Sequence, residues 1–262
     1  MNNITFNEEA MRNLLDFIKK ICGNDLSSKR DIIKGKITDF CNSHNFESVD
    51  EMIDKVGKNR IYKQELINLV TINETYFLRE RQQLEAVMQY ANTIDGPIRI
   101  LCAPCSSGEE AYTLGIIAKG MGIDRYRLKI IGIDINSDVI KKCQEGRYSK
   151  RSLQNVTPAQ VSTFFTEDGD FYKIKKELLP MISFQIENIF DDNIFKLGTF
   201  DVILSRNMLI YFDEYHRAMS IERFHKLLKP EGRFYAGKAD IIPSSEIFRK
   251  VVDFSTTYYQ KI

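Results

Sequence analysis

Two short segments constrain the fold of this chain more than any others. An apolar strand pattern at Ile98 to Cys102 runs through Ala-Pro-Cys-Ser-Ser into Gly108, Glu109 and Glu110, an acidic helix start; a second apolar run, Lys129 to Ile133, ends on Asp134. In an open parallel sheet the first strand delivers a loop and a helix N-terminus to the carboxyl edge, and an acid closing the next strand accepts ribose hydroxyls. A pyrophosphate cradle needs several loop glycines so that backbone amides can approach the phosphates, and here Gly108 is the only one. The pattern therefore points to an adenosine-containing ligand without phosphates.

S-adenosylmethionine has that chemistry: adenosine, a sulfonium and an amino acid. It asks for an acid at the ribose and polar partners at its ends. The reading that follows is a methyltransferase.

The chain around these segments changes character once. From Met1 to about Ile94, apolar residues recur at helical spacing (Leu14, Leu15, Ile18, Ile21; Ile32, Ile33, Ile37, Phe40; Met52, Ile53, Val56). Ser48 and Glu51 have the form of a capping box. After the turn signal Asp95-Gly96-Pro97 the pattern becomes short apolar strands alternating with amphipathic helices. We place the domain boundary there: a helical domain over 1–94 and a sheet domain over 95–262. Strands are predicted at Ile98–Cys102, Leu128–Ile133, Ile182–Ile186 and Phe200–Leu204, with helices from Glu109 and Ser137. A final strand begins after Pro230 and Gly232, with Thr256–Lys261 as its antiparallel partner beyond a short helix following Pro243. Residues 147–181 follow neither period; they read as an insertion, with a strand at Phe171–Ile174 after the turn Glu167-Asp-Gly-Asp170.

Composition excludes several classes. A net charge of +1 across 262 residues leaves no basic field for general nucleic-acid binding. No segment has signal-peptide form or the apolar length of a membrane span, so a soluble, cytoplasmic protein is expected. Five scattered cysteines make no disulfide framework. Cys102-Ala-Pro-Cys105 has dithiol spacing, but the helix begins after Gly108, too far along to depress the pKa of Cys102. The three histidines lack metal-ligand spacing, and no metal is expected.

The candidate chemical residues each have a structural alternative. Asp134 can cap the following helix, and Glu109 and Glu110 can complement its macrodipole. Asn73 and Thr75, in Asn73-Glu-Thr-Tyr-Phe-Leu-Arg-Glu80, can cap a helix as readily as bind a ligand. Arg206 and Asn207 follow a buried strand, where ligands gather in open sheets, while Asp213 can cap the next helix and Tyr211 and Phe212 can pack in the core.

Taken together, Asn73–Glu80, Cys105–Glu110, Gly132–Ile135, Gly146–Tyr148 and Ser205–Asp213 resemble one family, the chemotaxis receptor glutamate O-methyltransferases, the CheR family. The resemblance implies an α/β fold: a Rossmann-like class I S-adenosylmethionine-dependent methyltransferase sheet domain with an N-terminal helical domain and a small inserted β-subdomain. It implies S-adenosyl-L-methionine as cofactor, S-adenosyl-L-homocysteine as product, and methyl esters on glutamates of chemoreceptors. It assigns Asn73, Thr75 and Arg79 to the cofactor, Glu109 and Asp134 to its amino-acid and ribose portions, and Asn188 with Ile189 to the adenine side. Arg206 and Asn207 match a further cofactor-contacting pair, and Arg79 with Tyr211 matches the family's catalytic positions. The implied partner is the cytoplasmic helical bundle of membrane-bound chemoreceptors, met at receptor arrays by a monomer, with no nucleic acid and no membrane insertion. Helical-domain residues Lys29, Arg30, Lys34 and Lys36 offer a face for acidic receptor bundles or simply a solvated one.

Two departures stand out. Many relatives follow the penultimate strand with Gly-His-Ser-Glu, where this chain has Gly237-Lys-Ala-Asp240. The turn at Glu167–Asp170 is short and has one glycine, where relatives that grip a receptor tail peptide have a longer, glycine-richer loop; the resemblance thereby implies recognition without the tail peptide. The alternatives to receptor methylation are a methyltransferase of the same fold acting on another protein or a small molecule, and a signalling adaptor that binds S-adenosylmethionine without turnover.

Overall fold

The computed structural model describes residue 4 and residues 6–244, 246–253 and 256–262; residues 1–3, 5, 245, 254 and 255 lie outside the description. The chain divides into two compact units, Met1–Ile72 with Tyr211–His216, and Asn73–Ile210 with Arg217–Ile262.

The first unit holds four helices: α1 (Glu8–Cys22), α2 (Arg30–Ser43), α3 (Val49–Lys58) and α4 (Arg60–Val70). Their apolar stripes meet in a core where Leu14, Ile18, Ile37, Met52, Val56 and Leu66 are all fully buried. Side chains close the orphaned amides at three helix starts. Asn7 accepts from Ala10 N, Ser48 from Glu51 N, and Asn59 from Ile61 N and Tyr62 N. Half of the predicted capping box forms as expected; the reciprocal carboxylate of Glu51 reaches one residue further back, to Glu47 N at 2.8 Å.

The second unit contains α5 (Arg81–Asn92), β1 (Ile98–Cys102), α6 (Glu109–Gly120), β2 (Leu128–Asp134), α7 (Ser137–Glu145), β3 (Arg147–Ser149), α8 (Pro158–Phe164), β4 (Phe165–Asp168), β5 (Phe171–Ile174), β6 (Met181–Ile186) and β7 (Phe200–Ser205). After α9 (Glu214–Leu227), whose first turn belongs to the helical unit, come β8 (Leu228–Ala236), β9 (Phe248–Val252) and β10 (Thr257–Lys261). The main sheet has the order β6-β2-β1-β7-β8-β10-β9. Strands β6, β2, β1, β7 and β8 run parallel and the β9–β10 pair antiparallel. The chain winds outward from β1 in one direction, then returns to add β7 on its other side, so the switch point lies between β1 and β7. That is where open sheets bind ligands. Strands β3, β5 and β4 form a separate three-stranded antiparallel sheet.

This is the class I methyltransferase sheet expected from the sequence, with two differences. The units part at Ile72/Asn73, not at the Asp95–Pro97 turn, because α5 is a helix of the sheet: Leu84, Val87, Met88 and Ala91 join one apolar cluster with Ile98, Ile100 and Val202. Helical periodicity alone cannot tell which core a helix serves. The segment after Pro243 carries strand β9 instead of the expected short helix; Phe248 buries itself against Phe234 and His225, which an extended edge strand permits.

Candidate active site

Three loops meet at the carboxyl edge of the sheet. The loop after β1 carries Ser106 to Glu109, the loop after β7 carries Arg206 and Asn207, and residues 73–80 join them from the chain before α5. Leu78 (φ 60°), Glu80 (φ 53°), Ser106 (φ 48°) and Asn207 (φ 58°) all adopt the left-handed region. Side chains rarely sit there unless the surroundings impose it, and such residues collect at functional sites.

Hydrogen bonds hold segment 73–80 along its length. Ser106 Oγ donates to the Asn73 carbonyl (3.0 Å), Phe77 N to the Ser152 carbonyl (2.9 Å), Leu78 N to Thr113 Oγ1 (3.1 Å), and Arg206 Nη2 to the Arg79 carbonyl (2.7 Å). Phe77 is fully buried, edge-on to Tyr148 and Phe165. The Tyr148 hydroxyl donates to the Ser107 carbonyl at 2.8 Å, so the small sheet buttresses the first loop.

Asp134 closes β2 beside that loop. Its carboxylate is 5% exposed and accepts from Ser106 N (2.9 Å) and Asn136 N (3.0 Å). Burial pushes it up to about 6 against the opposing pull of these amides. Asp134 thus does some of the local work of its structural alternative, while the cap proper of α7 is Asn136. A carboxylate has about four acceptor positions, so it retains capacity for hydroxyl donors. Glu109, 2% exposed in the first turn of α6, accepts from Ser107 Oγ at 2.7 Å and is also raised by burial. Asn188 and Ile189 follow β6, which pairs with β2 up to Ile186 opposite Asp134, so they share this edge. Gly132 permits the approach of the layers behind: a Cβ there would stand 2.7 Å from the Phe184 ring and 2.8 Å from Cys105 Cβ.

Arg206 is held by two carboxylates at this edge. Its side chain is 3% exposed and Nη1 donates to Glu110 at 2.6 Å, with Glu80 3.5 Å from Nη2. A buried guanidinium requires such partners. The trio straddles the switch point, tying α6 to the loop after β7 and to the end of segment 73–80. In the sequence Glu110 reads as a helix-dipole residue; an arginine at the end of a wholly buried strand is the signal that a carboxylate must face it. Asp240 was also missed. Its carboxylate accepts from Asn207 N (2.6 Å), Gly237 N (2.9 Å) and Ile210 N (3.2 Å), holding Asn207 in its left-handed turn.

Arg79 is half-buried, and its Nη1 donates to the Glu74 carbonyl at 2.7 Å. Asn73 and Thr75 lie on the same strap in irregular backbone and cap no helix; α5 starts at Arg81 behind Glu80. Tyr211 belongs to the helical unit. Asp213 accepts from His216 N at 2.9 Å, the capping role foreseen for it. The thiols of Cys102 and Cys105 are pushed well above their ordinary value by burial, the reverse of what a dithiol redox pair needs.

Residues 73–258 match the description "CheR methyltransferase, SAM binding domain", and residues 9–71 match "CheR methyltransferase, all-alpha domain". The chain belongs to the CheR methyltransferase family. It is 41% identical over 261 residues to the chemotaxis protein methyltransferase of Campylobacter jejuni subsp. jejuni serotype O:23/36 (strain 81-176), covering 99% of this chain and 98% of that protein. It is 33% identical over 211 residues to chemotaxis protein methyltransferase 2 of Vibrio cholerae, covering 75% and 73%. With the chemotaxis protein methyltransferase of Escherichia coli (strain K12) it shares 31% identity over 182 residues, 68% of this chain and 64% of that one. This CheR-family chain is an S-adenosylmethionine-dependent methyltransferase of chemotaxis. The donor set fits that cofactor: a buried acid with acceptor capacity at the end of β2, a second buried carboxylate at a helix start, and a loop without a phosphate cradle. No helix among the described residues is long and apolar enough to cross a membrane.

Proposed function

We propose that the enzyme methylates glutamate side-chain carboxylates on the helical bundles of chemoreceptors, giving methyl esters and S-adenosylhomocysteine. The observation that carries this reading is the Asp134–Ser106–Asn73 connection, which joins the ribose acid, the loop after β1 and the strap bearing Thr75 and Arg79 into one site. In it Asp134 takes the ribose hydroxyls, Glu109 the amino-acid end, and Asn188 and Ile189 the adenine side. Asn73, Thr75 and Asn207 complete the polar lining, with Arg206 holding the loops through Glu110 and Glu80.

S-adenosylmethionine supplies an electrophilic methyl on a positively charged sulfur. The receptor glutamate is ionised near neutral pH, its reference pKa being about 4.3, so no residue of the chain has to remove a proton. The chain's task is alignment, which can supply several kcal/mol of a barrier. Arg79 spends one of its five donors on the Glu74 carbonyl and orients the incoming carboxylate, or the cofactor's own, with the rest. A tight two-pronged clamp on the nucleophile would stabilise its ground state as well, so a looser grip serves transfer better. Tyr211 is the second orienting group. The helical domain presents the recognition face, and the short turn at Gly169 and Asp170 suits recognition without a receptor tail peptide.

The test is transfer of tritiated methyl from S-adenosylmethionine to chemoreceptor-containing membranes, followed by alkaline release of methanol. Label that base releases and that Asp134→Ala abolishes is the expected result. Base-resistant label would indicate another acceptor group, and cofactor binding with no label would favour the adaptor.

A further inference from the structure

Tyr211 is carried by the helical unit, and the manner of its attachment there gives it a specific partner. The turn between α1 and α2 pins the backbone around it. Asp25 N donates to the Tyr211 carbonyl at 2.7 Å, and Asn24 forms an antiparallel bridge with Phe212, which is 4% exposed. Lys19 Nζ lies 3.0 Å from Asp25 and 3.5 Å from Asp213, so one ammonium ties the turn to the residue two beyond the tyrosine. The turn is itself fixed, because Asp25 accepts from both the amide and the hydroxyl of Ser27, at 3.0 and 2.6 Å.

The side chain of Tyr211 is met from the same turn. Lys29 Nζ stands 5.1 Å from the centroid of its ring, within the range where an ammonium is attracted to an aromatic face. The four basic residues that sequence groups together are thereby separated. Arg30 pairs with Glu8 at 3.1 Å, Lys36 donates to the Leu69 carbonyl at 2.8 Å, and Lys34 lies over Phe6 at 5.7 Å. Lys29 alone of the four is directed at a residue placed in the methyl-transfer machinery.

We infer that Lys29 is a positioning residue for Tyr211, fixing the orientation of the phenol from the α1–α2 turn. The inference rests on the role proposed above for Tyr211. Asn24, Asp25 and Lys19 pin the backbone, and the Lys29 ammonium over the ring face favours one orientation of the side chain. Its contribution is to kcat rather than to recognition, in contrast to a lysine that grips an acidic receptor helix.

The experiment compares Lys29→Met, which keeps the apolar stem and removes the charge, with Lys29→Arg, which keeps a cation for the ring. Both are made in the wild-type and the Tyr211→Phe backgrounds. The readouts are kcat and KM for chemoreceptor-containing membranes, the Kd of S-adenosylmethionine by calorimetry, and Tm. Lys29→Met is expected to lower kcat about three- to thirtyfold, with KM, Kd and Tm unchanged. Lys29→Arg should retain most of the wild-type kcat, and Lys29→Met should cost nothing further in the Tyr211→Phe background. A raised KM at unchanged kcat, or an equal loss in both backgrounds, overturns the inference. If Tyr211→Phe alone transfers methyl at the wild-type rate, the role given to Tyr211 fails and takes the inference with it. If Tyr211→Phe is impaired and Lys29→Met is not, the inference alone fails.

Discussion

A carboxylate with almost no access to water and amide donors at Ser106, Ile135 and Asn136 is held between opposing tendencies, and in Asp134 burial prevails, lifting it from 3.8 to about 6. An acid raised on folding stabilises the protein below its unfolded pKa, and that contribution, on the order of 3 kcal/mol here, is lost as pH rises through about 6. Ligand hydroxyls reverse the balance because they favour the charged form. S-adenosylmethionine should therefore bind about tenfold more weakly at pH 5 than at pH 7, and Asp134→Asn should flatten the profile. Calorimetry at the two pH values checks this, the variant separating Asp134 from Glu109, whose carboxyl is also raised by burial. Arg206 carries a different prediction. Removing a guanidinium that faces Glu110 and Glu80 strands two buried carboxylates, so Arg206→Ala should cost about 3–5 kcal/mol of stability. Thermal unfolding without cofactor reads that loss directly; a Tm within about a degree of wild type would return Arg206 to the role of a direct ligand contact. The place of Asp134 at the end of β2 was legible in the sequence because the apolar run before it stops there. The partners of Arg206 were not, since they sit 96 and 126 positions away and no local pattern pairs them.

At the level of elements, β1, β2 and β7 were readable because buried parallel strands are continuous apolar runs, and together with the more exposed edge strand β6 they fall within a residue of their predicted limits. Strand β9 was not, its exposed face giving it no apolar run, nor was the allegiance of α5. The corner after β8 shows what an altered motif preserves. Gly237 packs where a Cβ would meet the Asn207 backbone nitrogen at 2.8 Å and Asp240 Oδ2 at 2.8 Å, while Asp240 binds three backbone amides. The backbone nitrogen cannot yield as a flexible side chain would. Gly237→Ala should displace the Asn207 turn, lowering S-adenosylmethionine affinity by about tenfold and stability by about 1–3 kcal/mol, a typical cost of overpacking. Asp240→Ala should act in the same direction by stranding amides, whereas Lys238→His, the residue the family resemblance gives at this corner, should change neither quantity. Calorimetry and thermal unfolding of the three variants distinguish a structural corner from a ligand-contacting one, since a contact role for Lys238 would appear in affinity with Tm unchanged.

Across the whole molecule, the division into units does not follow the chain. The sequence leaves the sheet unit at Ile210, contributes Tyr211–His216 to the helical unit, and returns at Arg217. Two of the residues proposed for methyl transfer are thus assigned to different units, Arg79 to one and Tyr211 to the other, while Asn73, Glu109, Asp134, Asn188 and Asn207 all lie in the sheet unit. A chain beginning at Asn73 keeps those proposed binding residues but strips segment 211–216 of the Asp25 hydrogen bond, the Asn24 bridge and the Lys19 ion pair. It should bind S-adenosylmethionine within about threefold of the full-length affinity, since its ligating set is intact. Its kcat should fall by about a hundredfold, the scale expected when an orienting group is misplaced by about an ångström. The measurement is cofactor affinity by calorimetry together with methyl transfer across a wide range of receptor-membrane concentrations. A wild-type kcat reached at higher receptor concentration would confine the helical unit to recognition. A kcat that stays low at saturation, with cofactor still bound, would make that unit part of the catalytic apparatus as well as the proposed recognition face.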